Sequence, residues 1–115
     1  MIESLRFSLQ GDHARSLEIV RQALAARPAW DDPETTFYLT RQLARDGAHA
    51  EALRTIGDLV TEGFFCSTAL RSDPWLRPLS RLPDFEGVLN LVLRREAEAR
   101  AAFEAAKPFA TALPA

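Results

Sequence analysis

The chain has 115 residues, which fits one domain and is long enough to bury a core without disulfide staples. Hydrophobic residues make up 47% and charged residues 26%, the balance of an ordinary globular fold, and the net charge of −2 comes with no block of like charge. That excludes the basic stripe that a nucleic acid or an anionic membrane surface calls for, so neither is an expected partner.

The start, Met1-Ile2-Glu3-Ser4-Leu5-Arg6, carries charge early and has no apolar stretch of signal-peptide length. No run approaches the ~18 apolar residues of a membrane helix. Cys66 is the lone cysteine, so no intramolecular disulfide can form. A cytoplasmic protein is the expectation. Thirteen of the 14 basic residues are arginine, Lys107 being the exception, and alanine is abundant, which points to GC-rich bacterial coding.

In chain order, the first helical stretch carries Ile2, Leu5 and Leu9 on one stripe and ends at Gly11. Leu17, Val20 and Leu24, with Ala14 and Ala23, keep helical spacing up to Pro28. Asp32 is suited to cap the next helix, Pro33 to its first position and Glu34 to the positive end of its dipole. Phe37, Tyr38, Leu39, Leu43 and Ala44 follow, up to Gly47, which supplies the left-handed residue of a tight turn. Leu53, Ile56, Leu59 and Val60 make the next helix, up to Gly63. Pro74 and Pro78 then break the chain into short pieces, among which Trp75, Leu76, Leu79 and Phe85 are densely apolar. A long helix is predicted from about Asp84 to Ala106, with Phe85, Leu89, Val92, Ala99 and Phe103 on one side and Arg94, Arg95, Glu98 and Glu104 on the other. Pro108 is expected to stop it and leave a frayed tail.

A repeat runs through this order. Gly11-Asp12-His13-Ala14-Arg15-Ser16-Leu17 and Gly47-Ala48-His49-Ala50-Glu51-Ala52-Leu53 share Gly, His, Ala and Leu in register, 36 residues apart. Periods of this order mark stacked helical hairpins. With Gly47 as the turn glycine, Ala52 takes the small-residue position, and Leu39, Leu43, Ile56 and Leu59 the packing positions, of a tetratricopeptide repeat. With Gly11 as the earlier turn, Ser16, Val20 and Ala23 take the matching places and Pro28 the terminal proline. The chain thus resembles the tetratricopeptide-repeat family. Over residues 63–89, Gly63-Phe64, Asp73-Pro74, Leu76, Pro78-Leu79 and Pro83-Asp84-Phe85 are similar to the closing block of such arrays in bacterial multidomain signalling proteins. Ser80 departs from that block, which usually has arginine there.

The resemblance implies an all-α fold of antiparallel helical hairpins stacked as a short right-handed solenoid. The expected division is one domain over 1–106 and a tail over 107–115. Within the domain, a partial repeat covers 1–30, a full repeat 31–64 and a modified capping unit 65–106. The resemblance also implies a non-catalytic module that binds a partner protein or peptide in a concave groove, with no cofactor. The groove positions fall on Glu34, Phe37, Tyr38, Arg41 and Arg45. One helical turn separates Phe37, Arg41 and Arg45, an arrangement that offers arginine forks beside an apolar seat. The same arginines with no partner form a solvated face, with Phe37 packed on the capping unit. Ile2, Leu5 and Leu9 hold the equivalent stripe on the first helix, where a partner, an upstream helix or a second copy would cover them; the alternative role is a self-associating structural or capping module of a larger signalling assembly, as in a homodimer.

Other constellations carry less chemistry. His13 and His49 lie one repeat apart, with too few further ligands for a metal site, and read as exposed turn residues. Cys66 beside Phe64 and Phe65 reads as an inert buried thiol, because no histidine is near to act as a base. Asp31, Asp32 and Glu34 read as capping groups without the calcium-loop spacing. No phosphate-binding glycine loop, G-x-S-x-G elbow or H-E-x-x-H motif occurs, so an enzyme is not expected.

Overall fold

Three helices end in the same way, each at a glycine in the left-handed region: Gly11 at φ 82°, Gly47 at 94° and Gly63 at 100°. They are α1 (Ile2–Leu9), α3 (Pro33–Arg45) and α4 (His49–Thr61). The residue after each glycine donates its N–H back across the turn: Asp12 to the Phe7 carbonyl, Ala48 to Leu43 and Phe64 to Leu59, all at 2.9 Å. The glycine N–H donates to Ser8, Ala44 or Val60 at 3.0–3.1 Å. This paired closure satisfies carbonyls that a helix end leaves orphaned. An added Cβ at any of the three would meet no atom within 4 Å, so backbone conformation and not crowding demands glycine.

The computed structural model describes residues 2–26, 32–64 and 67–111, with side chains as far as Lys107. The remaining elements are α2 (His13–Ala26), α5 (Ser67–Ser72), a 3-10 turn (Arg77–Arg81) and α6 (Phe85–Thr111). All the regular secondary structure among the described residues is helical, with no strand. Pro28, Asp31 and Cys66, for which the sequence predicts a repeat end, a capping group and a buried thiol, lie outside them. No helix among the described residues is long and apolar enough to cross a membrane.

Packing follows chain order. α1 lies on α2, α2 on α3, α3 on α4 and α4 on α6, while α5 and the 3-10 turn fill the corner between α4 and α6. The 36-residue offset is visible in burial. Ser4 and Thr40, Ser16 and Ala52, and Val20 and Ile56 are each fully buried pairs. Leu43, Ile56, Leu59, Leu76, Leu79 and Val92 are among the largest apolar side chains with essentially no exposure. Each such burial is worth about 1.5–3 kcal/mol, so the capping block is held by the same apolar effect as the hairpins. Of the apolar group Trp75, Leu76, Leu79 and Phe85, the last three are buried, together with Leu70, while Trp75 is half-buried and stacks against α3 arginines.

The helix starts show why two similar repeats differ. Asp32 accepts the Glu34 N–H at 3.0 Å with Pro33 at the first helical position, as the sequence predicts. Asp12 caps α2 by accepting the Arg15 N–H at 3.2 Å. The equivalent residue 36 positions on is Ala48, which has no capping group. Ala48→Ser is therefore expected to raise stability by about 0.5–1 kcal/mol, read from the urea midpoint.

α6 corrects the expected stop at Pro108, since it runs on to Thr111. A proline removes one helical N–H and crowds the carbonyl four residues back. Residues 97–107 are all exposed, so the helix is free to relax around that clash. Phe85 and Val92 are buried and Leu89 is half-buried, whereas Ala99 and Phe103, on the same side, have no covering group, and Phe103 is 65% exposed.

Candidate interaction surface

The side of the stack formed by α1, α3 and the capping block is organised by polar side chains. Asp46 follows α3 as its C-cap, and its carboxylate is fully buried. A negative charge there opposes the α3 dipole. It is compensated from α1 and α2. Ser8 Oγ donates to Asp46 Oδ1 at 2.6 Å, Ser16 Oγ donates to Oδ2, and His13 Nδ1 lies 2.6 Å from Oδ1. His13 and Ser16 belong to the first turn of α2, whose positive end faces the carboxylate. Ser4 Oγ donates to Gln42 Oε1 at 2.5 Å, one helical turn away.

The network continues outward. Arg45 Nε donates to Ser8 Oγ at 2.9 Å, so this hydroxyl accepts from a guanidinium and donates to a carboxylate. Arg45 then lies over the Trp75 ring at 5.0 Å, and Arg41 over the same ring at 4.4 Å. Arg41 Nε donates to Asp73 Oδ2 at 2.5 Å, and the far end of its fork reaches Oδ1 at 3.3 Å. Asp73 also accepts the Trp75 N–H at 2.9 Å, which fixes the indole at this point. Every buried side-chain polar atom among the described residues has a partner. One chain of contacts thus joins the first hairpin, α3 and the capping block.

The predicted groove residues therefore divide into two sets. Arg41 and Arg45, half-buried, are held by Asp73, Trp75 and Ser8. Phe37 is 8% exposed, with its ring 5.3 Å from that of Phe64, just beyond the Gly63 turn. Glu34 and Tyr38 are exposed and paired, the Tyr38 hydroxyl donating to Glu34 Oε1 at 3.1 Å. Beside Phe37 and Arg41 lies an open cleft of about 520 Å³, closed on its far side by Ser67 and Thr68 of α5 and by Glu96 of α6. Glu96 accepts the Ser67 N–H at 3.1 Å and its hydroxyl at 2.7 Å, which ties the start of α5 to α6. Aromatic rings in the floor and hydroxyls on the wall give the cleft both an apolar seat and hydrogen-bonding edges.

The Glu34–Tyr38 pair leaves a spectroscopic mark. The phenol loses its donated bond on ionisation, and the phenolate then faces a carboxylate, so the Tyr38 pKa is raised above its ordinary value. Tyr38 is the only tyrosine. A phenolate absorbance titration is expected to show ionisation above that of free tyrosine, and Glu34→Gln to lower it. A midpoint unchanged by Glu34→Gln would contradict the pairing.

Of the other singled-out residues, Ile2 and Leu9 are 88% and 65% exposed and Leu5 is half-buried. His49 is half-buried at the start of α4. His13 is not a bare turn residue: its ring is half-exposed but its Nδ1 meets a buried carboxylate. Among the described residues no cluster of three or more His, Cys, Asp or Glu side chains could hold a metal ion. Asp46, Asp73 and Trp75 are the residues that the groove reading omits. Asp46-Gly47 reads locally as turn chemistry, and its partners lie 30–38 residues away. Comparison with known proteins adds no relative: no family model, curated protein or solved structure matches this chain.

Proposed function

We propose that the chain is a non-catalytic interaction module that seats an extended segment of a partner protein in the cleft between α3, α5 and α6. The observation that carries this is the cleft itself, open to solvent, with Phe37 and Phe64 among its lining residues. An apolar side chain of the partner sits on the rings, and its backbone hydrogen-bonds the exposed Thr68 hydroxyl, while Ser67 stays committed to Glu96. Arg41 and Arg45 serve as the rigid wall that positions Phe37, rather than as forks reaching for a carboxylate. Right-handed stacking of the tetratricopeptide kind belongs to the same reading. It is supported by the three matching glycine turns and the 36-residue burial offset.

The test is selection from a displayed random peptide library. Peptides enriched on the wild-type chain are expected to lose at least about tenfold in affinity on Thr68→Trp, which blocks the cleft from an exposed position. Peptides that bind the two proteins equally well would overturn the assignment of the cleft.

A second reading, self-association through α1, is favoured by the exposure of Ile2 and Leu9 on one stripe. It requires a dimer in sedimentation that dissociates when both become lysine.

A further inference from the structure

A second cavity lies on α4, away from the cleft, where the capping block meets the helix. Its volume is about 330 Å³, at the lower end of the range for small-ligand sites. Leu53, Leu82 and Val88 supply its apolar wall. Leu53 is 4% exposed, while Leu82 and Val88 are half-buried.

Two further observations point to an occupant. The first is Gly57, in the middle of α4. A glycine there costs about 1 kcal/mol relative to alanine. No packing demand explains it, because an added Cβ would meet nothing within 4 Å, and its φ lies outside the left-handed region. The missing side chain leaves open space on the face that lines the cavity. The second is a pair of opposite charges. Arg54 and Asp84 both line the cavity and both are exposed. Among the described residues neither makes an ion pair or a side-chain hydrogen bond, with the other or with any third group. A cation and an anion flanking one apolar hole, without pairing, complement a molecule that carries both charges beside an apolar body.

We propose that this cavity binds a free apolar amino acid. The aliphatic or aromatic side chain enters between Leu53, Leu82 and Val88, over the bare backbone of Gly57. The carboxylate takes the Arg54 fork, and the ammonium faces Asp84. Binding is reversible and involves no covalent step. The site spans α4 and the start of α6, so its occupant also braces the capping block against the hairpins.

The test is calorimetric titration of the intact chain with L-leucine and L-phenylalanine at millimolar concentration, with amide resonances followed in parallel. Saturable binding is expected, with shifts at Leu53, Gly57, Leu82 and Val88. Gly57→Leu fills the hole with a strong helix former, so it is expected to remain folded and to lose the binding. Arg54→Gln and Asp84→Asn, both at exposed positions, are each expected to weaken it at least about tenfold. N-acetyl-leucine and leucinamide each lack one of the two charges and are expected to fall by a similar factor. Absence of saturable binding by wild type, or binding retained by Gly57→Leu, overturns the site. Equal affinity for either capped compound removes the charge at that end and overturns the amino-acid assignment.

Discussion

Asp46→Ala is expected to lower folding stability by about 3 kcal/mol, read as a fall in urea midpoint at unchanged slope. The carboxylate is fully buried and is met by Ser8, His13 and Ser16. Removing it leaves the buried Ser16 hydroxyl facing a small void with no bond in return, the Ser8 hydroxyl with only the bond it accepts from Arg45, and the half-exposed His13 ring without its inner partner. Arg45 also loses the polarised acceptor at Ser8. The alanine relieves an unfavourable charge at the end of α3, but that effect is worth only about 0.3–1 kcal/mol and does not offset the rest. Ser16→Ala alone is expected to be milder, because Asp46 keeps its other two partners. The double variant Ser16→Ala/Asp46→Ala is expected to cost less than the sum of the singles, since one shared bond is lost twice in that sum. A loss below about 1 kcal/mol for Asp46→Ala would show that water replaces the three donors and that the network is not a structural hub.

Trp75→Ala is expected to lower stability by about 2 kcal/mol, measured by circular dichroism in urea. The indole is half-buried, which places its loss below the 3–5 kcal/mol typical of a fully buried tryptophan. It also supports two guanidinium groups on one ring, at 4.4 and 5.0 Å, each worth about 0.5–1 kcal/mol. Trp75→Phe keeps a ring for both and is expected to recover about half of the loss. The same geometry predicts that reversing the charge of Arg41 and Arg45 together damages the fold. Arg41 would then face Asp73 with like charge, and Arg45 would leave Ser8 without its donor. Loss of partner binding in such a variant would not identify the binding surface, whereas Thr68 and Tyr38 are exposed and free of that difficulty.

Much of the fold was legible because it rests on local rules. Glycine at 11, 47 and 63 announces left-handed turns, Asp32-Pro33 announces a capped start, and the apolar spacing of α3 and α4 follows helical period. The face that α1 buries was not legible. Apolar counting selects Ile2, Leu5 and Leu9, yet Ser4 and Ser8 are the buried pair, because their partners on α3 are the polar Gln42 and Asp46. Hydrophobic periodicity cannot detect a buried face whose partners are hydrogen-bonding groups. The helical spacing of Phe37, Arg41 and Arg45 was also legible, but the groups that occupy the arginines were not. Asp73 and Trp75 arrive from a segment more than 27 residues on, and no local signal sets how that segment folds back.

The central claim is that the cleft beside Phe37 and Phe64 receives a partner segment. Its most direct measurement is quantitative affinity capture from the native lysate, run in parallel with wild type, Thr68→Trp and Ile2→Lys/Leu9→Lys. All three must first show the same helical signal and the same urea midpoint. The cleft reading predicts a protein retained by wild type and by the α1 variant, and lost with Thr68→Trp. Retention by Thr68→Trp together with loss on the α1 variant would contradict it and move the interface to the exposed stripe of α1.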